Sequence, residues 1–173
     1  MIRFDHHPAF ITITCLNWLP ILQNDLHKQI ALEALKMRVK KEQVTICGFV
    51  IMPNHIHLIW QLHDGVGKSD FQRELLKFTS RSLLAFMKMN NDRLYHQCEV
   101  NDADRKYQVW ERNSLSVELY SEKVFMQKLE YIHSNPIHWK WRLADLPENY
   151  RFSSAKYYES GVDENMILTH YRG

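Results

Sequence analysis

Two segments rich in β-branched and apolar residues, joined by a connection of only three residues, constrain the fold of this chain most strongly. They are residues 44–51 (VTICGFVI) and 55–62 (HIHLIWQL), and Met52, Pro53 and Asn54 lie between them. Proline and asparagine are typical turn residues. So short a connection joins antiparallel strands, because parallel strands need a long crossover. The sequence therefore predicts a β-hairpin.

The rest of the chain has the periodicities of further strands and helices. Alternation over residues 10–15 predicts a strand, and the apolar positions of residues 25–41 recur at helical spacing. Ser69 or Asp70 is the expected N-cap of a second helix. The remaining predicted elements are that helix at about 70–90, an irregular segment at 91–106, short strands at 108–111 and 117–120, a third helix from about Ser121 to Pro136, and an aromatic-rich tail from 138 onward.

This order of elements predicts an α+β fold. A strand-helix-strand-strand-helix-strand arrangement fits a ferredoxin-like or RRM-like antiparallel sheet with helices packed on one face. A C-terminal helix carrying Tyr131 would follow it. The length of 173 residues suits one domain, so we expect residues 1–173 to form a single domain. Periodicity alone does not determine the order of the strands in the sheet.

Composition excludes several classes of protein. No uninterrupted apolar run approaches the roughly 20 residues that span a bilayer, and the start of the chain has no apolar signal core. The three cysteines, Cys15, Cys47 and Cys98, form no CxxC pair, which argues against a disulfide framework and a cysteine zinc site. We therefore expect a cytoplasmic protein without a membrane partner. A net charge of +2 requires any nucleic-acid contact to rest on local clusters of basic residues.

The second strand of the hairpin carries two histidines separated by one apolar residue. Successive side chains of a strand point to opposite faces, so His55 and His57 share one face while Ile56, Leu58 and Trp60 share the other. Two adjacent imidazoles suit a shared divalent metal ion, which indicates metal-assisted phosphoryl chemistry on nucleic acid. We expect both rings to face a cleft and to add little to packing. Polar residues that simply face solvent are the alternative.

A second candidate group lies far along the chain, on the predicted third helix. Tyr131 and Asn135 are four residues apart, so they lie one above the other on a helix, with Lys128 beside them. A phenol next to an amide is what a tyrosine nucleophile with a metal-ligating neighbour requires. Pro136 disfavours helical geometry at Asn135, so the spacing holds only if the helix continues this far. A helix stop and a core-edge tyrosine are the alternatives.

Three motifs taken together resemble the single-tyrosine HUH transposase family. They are PNHIHLI at residues 53–59, YIHSNP at residues 131–136 and YRFSS at residues 150–154. The branch most similar is that of the REP-associated tyrosine transposases. The resemblance covers most of the chain, from the first strand to about Tyr158, in the order of the family.

The resemblance implies an endonuclease and strand transferase that cuts single-stranded, hairpin-bearing DNA through a 5′-phosphotyrosine intermediate. It implies that Tyr131 is the nucleophile and that His55, His57 and Asn135 hold Mg²⁺ or Mn²⁺. A tyrosine hydroxyl is a weak nucleophile at neutral pH, and a metal ion that polarises the scissile phosphate would assist it. Members of the family often act as dimers, so the resemblance also implies a homodimer.

Basic side chains predict where the DNA would lie. Arg73, Lys77 and Arg81 recur every four residues on the predicted second helix, a stripe suited to phosphate contacts. A solvated helix face is the alternative. Lys128 and Lys140 are further candidates for DNA contacts. Lys140 lies between two tryptophans that could stack on unpaired bases, and we expect one of these, Trp139 or Trp141, to fill the core instead.

Two other functions remain open at this point. One is a domesticated hairpin-DNA-binding protein without transposition activity. The other is a metal-dependent phosphohydrolase in which Tyr131 is only structural. Tyr120 is the second candidate for the nucleophile, although it lacks an amide four residues onward.

Overall fold

The computed structural model describes residues 8–112 and 114–173, and its four strands form one antiparallel sheet in the order β2-β3-β1-β4. This sheet confirms the predicted ferredoxin-like α+β class. The strands are β1 (Ala9–Thr14), β2 (Val44–Ile51), β3 (His55–Leu62) and β4 (Leu115–Glu118); the helices are α1 (Asp25–Lys40), α2 (Lys68–Met89), α3 (Arg93–Gln97), α4 (Glu122–Ser134) and α5 (Ala155–Ser160).

The predicted hairpin is formed by β2 and β3. Its turn closes through the backbone N–H of Met52, which donates to the carbonyl of His55 at 2.8 Å. Two carbonyls of the turn accept hydrogen bonds from other segments: Pro53 accepts from Leu22 at 2.8 Å and Asn54 accepts from Cys15 at 2.9 Å. Because Cys15 directly follows β1, its bond to Asn54 fixes the start of β3 relative to the end of β1.

Helices cover both faces of the sheet. The first two, α1 and α2, pack against each other and against the face that carries Ile56 and Leu58. The opposite face, on which Gly48 and Ile59 lie, receives α4. The sequence predicted helices on one face and a separate tyrosine-bearing helix; the structure places that helix on the histidine-bearing face. No helix within the two described ranges is long and apolar enough to cross a lipid bilayer.

Several local predictions need correction. The N-cap of α2 is Gly67 and not Ser69 or Asp70, because the backbone turns from extended to helical before Lys68. The segment at 91–106 contains a short helix, α3, whose first turn is capped by Asp92. Residues 108–111 form no strand, and Trp110 makes an isolated bridge to Cys15, just after β1. Strand β4 lies at 115–118 and not at 117–120, and the tail contains α5.

A glycine in the middle of β2 allows α4 to approach the sheet closely. A Cβ atom at Gly48 would lie only 2.8 Å from Cδ1 of Leu129, a distance that requires the neighbour to shift. The side chains of Ile59 and Ile132 would lie at 3.6 and 3.7 Å from the same Cβ. The absence of a side chain at Gly48 therefore sets how near α4 lies to β2 and β3.

Replacing Gly48 by valine should destabilise the protein by about 1–3 kcal/mol, because the added atoms overpack the interface with α4. Urea titration followed by circular dichroism measures this change in the free energy of unfolding. In a Leu129→Ala background the same replacement should cost less, since the truncated side chain leaves room. Equal costs in the two backgrounds would show that Gly48 does not control this contact.

Candidate active site

The two histidines of β3 lie side by side beneath α4, on the same face of the sheet. Their ring centroids are 4.6 Å apart. His55 and His57 are only 6% and 4% exposed. Phe10 stacks on the His57 ring at 5.2 Å, and Tyr131 meets it edge-on at 5.2 Å. The expectation that both rings face a cleft and add little to packing is therefore wrong, because aromatic side chains from other segments cover them.

Hydrogen bonds orient each imidazole. Nδ1 of His55 donates to the side-chain oxygen of Asn54 at 2.8 Å, since an amide oxygen only accepts. Nδ1 of His57 pairs with the hydroxyl of Thr12 at 2.9 Å. The side chain of Asn135 also lies close enough to the His55 ring to influence its pKa. Nε2 of His57, in contrast, is buried without any hydrogen-bond partner.

Both imidazoles are held in the neutral form. Burial lowers the pKa of His55 to about 4; the charge of Lys140 adds to this shift and the side chain of Asn135 opposes it. Burial also lowers the pKa of His57 to about 3, and the neighbouring His55 and Lys128 add to the effect. A neutral imidazole has a free lone pair, which a metal ion needs and a proton would otherwise occupy.

These groups fit a divalent metal ion. The unpartnered Nε2 of His57, the ring of His55 and the amide of Asn135 together offer two nitrogen donors and one oxygen donor. Within the described residues, no group of three histidine, cysteine, aspartate or glutamate side chains is arranged to hold a metal. An ion at this place would therefore take its third protein ligand from Asn135 and its remaining ligands from water or a substrate phosphate.

The candidate nucleophile stands next to this donor group. Tyr131 is 50% exposed, so its ring rests on the buried histidines while solvent reaches the rest of it. Asn135 has helical backbone angles (φ −56°, ψ −49°) although Pro136 follows it, so the two side chains keep the i, i+4 relation. The amide nitrogen of Asn135 donates to the carbonyl of Tyr131 at 3.1 Å. The structure thus brings together all four residues predicted for catalysis and metal binding.

Two of the five basic residues predicted to contact DNA lie at this site. Nζ of Lys128 is 5.8 Å from the centre of the Tyr131 ring. Lys140 lines a pocket of about 210 Å³ together with Tyr131, Asn135 and Trp141. The ring of Trp141 is 5.8 Å from that of His55 and packs against the core, whereas Trp139 is 74% exposed. This agrees with the expectation that one of the two tryptophans fills the core.

The other three basic residues lie elsewhere. Arg73, Lys77 and Arg81 line a groove of about 620 Å³ between α2 and residues 104–112. Because α2 packs on the sheet face opposite to the histidines, this groove is separated from Tyr131 by the sheet. The carboxylate of Asp70 pairs with Arg73 at 2.9 Å. The structure therefore does not bring this stripe to the candidate active site.

Tyr120, the second candidate for the nucleophile, and His133, which lies close to Tyr131 in the sequence, bond to residues other than the paired histidines. The hydroxyl of Tyr120 donates to Glu118 at 2.5 Å, and this bond raises the pKa of the phenol. Nε2 of His133 pairs with the hydroxyl of Ser154 at 2.8 Å, and burial lowers the pKa of this histidine to about 4. His133 thus anchors α4 to the C-terminal segment.

Four residues at the site had no predicted role there. Asn54 and Thr12 orient the histidines, while Phe10 and Trp18 cover them. Thr12 pairs with His57 across the β1–β3 register, so a prediction of that register would have identified it. The position of Trp18 depends on the conformation of the turn after β1, which no pattern in the sequence predicts.

Mn²⁺ added to the protein alone should broaden the side-chain NMR signals of His55 and His57 before those of the half-buried His170. His57→Phe keeps an aromatic ring in the packing but removes both nitrogens, so it should abolish the selective broadening. His170→Phe serves as the matched control and should leave it intact. Uniform broadening of all histidines in the unsubstituted protein would contradict the assignment.

Two known proteins are similar to this chain, one in sequence and one in fold. No family profile matches the chain. An uncharacterized protein from Haemophilus influenzae is 31% identical over 147 residues, which cover 76% of this chain and 81% of that protein. The solved structure of a REP-associated tyrosine transposase bound to a REP hairpin has a TM-score of 0.65 and 18% identity, covering 96% of this chain and 87% of that chain. The predicted resemblance is thus confirmed for the fold. The chain belongs to the family of the Haemophilus influenzae protein and has the fold of a REP-associated tyrosine transposase.

Proposed function

We propose that this protein is a single-stranded DNA endonuclease and strand transferase, a transposase of the single-tyrosine HUH type. The observation that carries the proposal is the position of Tyr131, whose ring lies 5.2 Å from that of His57 at the edge of a neutral nitrogen–oxygen donor group. The class of substrate is supported by the solved transposase of the same fold, which is bound to a REP hairpin. Hairpin-bearing DNA is therefore the proposed partner.

The proposed reaction is a transesterification. The hydroxyl oxygen of Tyr131 attacks the scissile phosphorus, the bond from phosphorus to the 3′ oxygen breaks, and a 5′-phosphotyrosine and a free 3′-OH result. The phosphodiester bond energy is kept in the phosphotyrosine, so the reaction needs no nucleotide cofactor. A 3′-OH that later attacks the phosphotyrosine rejoins the strand and releases the tyrosine.

The residues around Tyr131 have separate tasks in this reaction. Bound by His55, His57 and Asn135, a divalent ion such as Mg²⁺ or Mn²⁺ would polarise the scissile phosphate. Lys128 and Lys140 supply positive charge for the DNA backbone. Burial of the two imidazoles keeps their lone pairs free of protons and excludes water from the ligand atoms.

The groove beside α2 supports a complementary role. Lys77, Arg81 and Ser80 line it on one side, and Arg105 and Arg112 on the other, although both of these arginines are also paired with aspartates. We propose that it holds duplex DNA such as the stem of a hairpin. A domesticated binding protein would use this groove without the chemistry of Tyr131, and a covalent adduct distinguishes the two functions. A single domain, a homodimer and a cytoplasmic location remain predictions.

Tyr131→Phe should abolish DNA cleavage, because the change removes only the attacking hydroxyl. Binding of single-stranded DNA should persist, since the ring keeps its contacts with His57 and Phe10. Labelled single strands from the genomic flanks of the gene, incubated with Mn²⁺, should give a covalent adduct with the unsubstituted protein. Mass spectrometry should locate the nucleotide on the peptide that contains Tyr131.

The control for this experiment is Tyr120→Phe, which should cleave normally. An adduct on Tyr120 would move the nucleophile to that residue. Cleavage without any adduct, persisting in Tyr131→Phe, would favour a hydrolytic mechanism. Binding without cleavage or adduct in the unsubstituted protein would favour the domesticated binding function.

Neutralising one residue of the groove, in Lys77→Gln or Arg81→Gln, should weaken binding to all hairpin sequences alike. A lost phosphate contact should lower the slope of log K against log salt concentration by roughly 0.7–0.9. Fluorescence anisotropy at several salt concentrations measures this slope. Lys36→Gln on α1, which removes a lysine paired with Glu33, is the control and should leave the slope unchanged. An unchanged slope in both groove variants would show that this helix face is only solvated.

A further inference from the structure

A large exposed aromatic side chain stands beside the buried histidines. Trp18 is 61% exposed, and its ring centroid lies 6.1 Å from that of His55 at a steep interplanar angle of 71°. Only a minor part of the indole packs against the protein, so packing alone does not account for a tryptophan here. The ring therefore lies beside one of the residues proposed to hold the metal ion that would meet the substrate phosphate.

The backbone that carries this ring is held in an uncommon conformation. Asn17 and Trp18 both have left-handed φ values, 49° and 57°, which residues other than glycine adopt rarely and which persist only where the surroundings fix them. The backbone N–H of Asn17 donates to a carboxylate oxygen of Glu111 at 2.6 Å, and that of Trp18 donates to the carbonyl of Cys15 at 3.0 Å. These bonds keep the turn in place and the indole at the surface.

A single side chain links this turn to the candidate metal ligand. The amide nitrogen of Asn54 donates to the carbonyl of Trp18 at 3.3 Å, while its oxygen accepts from Nδ1 of His55 at 2.8 Å. Asn54 therefore positions the His55 ring and the main chain of Trp18 at the same time. The indole keeps a defined place relative to the imidazole.

The surroundings of Trp18 favour nucleic acid as its ligand. Trp141 lies on His55 as well, with ring centroids 5.8 Å apart, so tryptophans from two distant segments flank this imidazole. Nζ of Lys140 lies 5.5 Å from the Trp141 ring. Aromatic rings next to positive charge are the usual platform for the unpaired bases of a single strand.

We propose that Trp18 is a stacking platform for the unpaired base of a nucleotide adjoining the scissile phosphate. This inference rests on the proposed function, because it assigns a base to a phosphate bound at the histidines. Stacking tolerates any base, so Trp18 fixes the position of the strand and contributes affinity. It takes no part in the bond-breaking step.

Single-stranded DNA with 2-aminopurine placed on either side of the cleavage point tests this proposal. A Tyr131→Phe background prevents cleavage and leaves binding measurable. Fluorescence of one of the two probes should be quenched on binding when Trp18 is present. Trp18→Ala should remove the quenching and weaken binding about 5- to 150-fold. Trp18→Tyr keeps an aromatic face and should retain most of the affinity.

Two controls separate stacking from a structural effect. Leu26→Ala removes a comparably exposed apolar side chain, 57% exposed, on α1 and should leave binding unchanged. An abasic nucleotide at the quenched position should weaken binding as much as Trp18→Ala does. The two changes together should weaken binding little more than either change alone, because both remove the same stacking contact. Alanine keeps the Cβ atom, so it adds no new strain to the turn.

The possible failures are distinguishable. If the unsubstituted protein forms the covalent adduct but Trp18→Ala binds equally well, with both probes unquenched in either protein, the platform is wrong and the proposed function stands. If the abasic nucleotide and Trp18→Ala reduce the binding free energy additively, the proposal that Trp18 stacks on this base is also wrong. If the unsubstituted protein neither binds single-stranded DNA nor forms an adduct, the proposed function itself fails.

Discussion

The contact between α4 and the sheet at Gly48 determines the position of the candidate catalytic groups. Since Gly48 has no side chain, Leu129 and Ile132 dock directly over β2 and β3. Tyr131 lies between these two residues in the sequence but on another side of the helix, so the docking turns its ring towards His57. The next turn of the same helix brings Asn135 to His55. A helix held farther from the sheet would separate Tyr131, the candidate nucleophile, from the donor group.

Burial of the histidines carries an energetic cost that the rest of the fold must offset. A buried polar atom without a hydrogen-bond partner costs about 1–3 kcal/mol, and Nε2 of His57 is such an atom. A metal ion would supply the missing partner, so the cost falls on the metal-free protein and is relieved in the complex. This pattern is expected where a site is arranged for a ligand rather than for maximal stability.

The sequence predicted those parts of the site that depend on local periodicity. Alternation on β3 placed His55 and His57 on one face, and helical spacing placed Tyr131 and Asn135 on one line. The burial of the histidines could not be predicted, because Phe10, Trp18 and Trp141 reach them from three distant segments. Asn135 has helical backbone angles although the residue before a proline usually avoids them. The hydrogen bond from its side-chain nitrogen to the carbonyl of Tyr131 supports this conformation. The N-cap of α2, Gly67, was not predicted because Ser69 and Asp70, which follow it closely, are residue types that favour the N-cap position more strongly.

The sheet separates two kinds of surface, and this separation bears on how one DNA molecule would be held. The histidines, Tyr131 and the two nearby lysines lie on the α4 face, whereas the groove of Lys77 and Arg81 lies beside α2 on the other face. Glu111 connects the two surfaces, because it lines the groove and also accepts a hydrogen bond from the backbone N–H of Asn17. Asn17 precedes Trp18, so the platform proposed at the histidines is anchored to the wall of the groove.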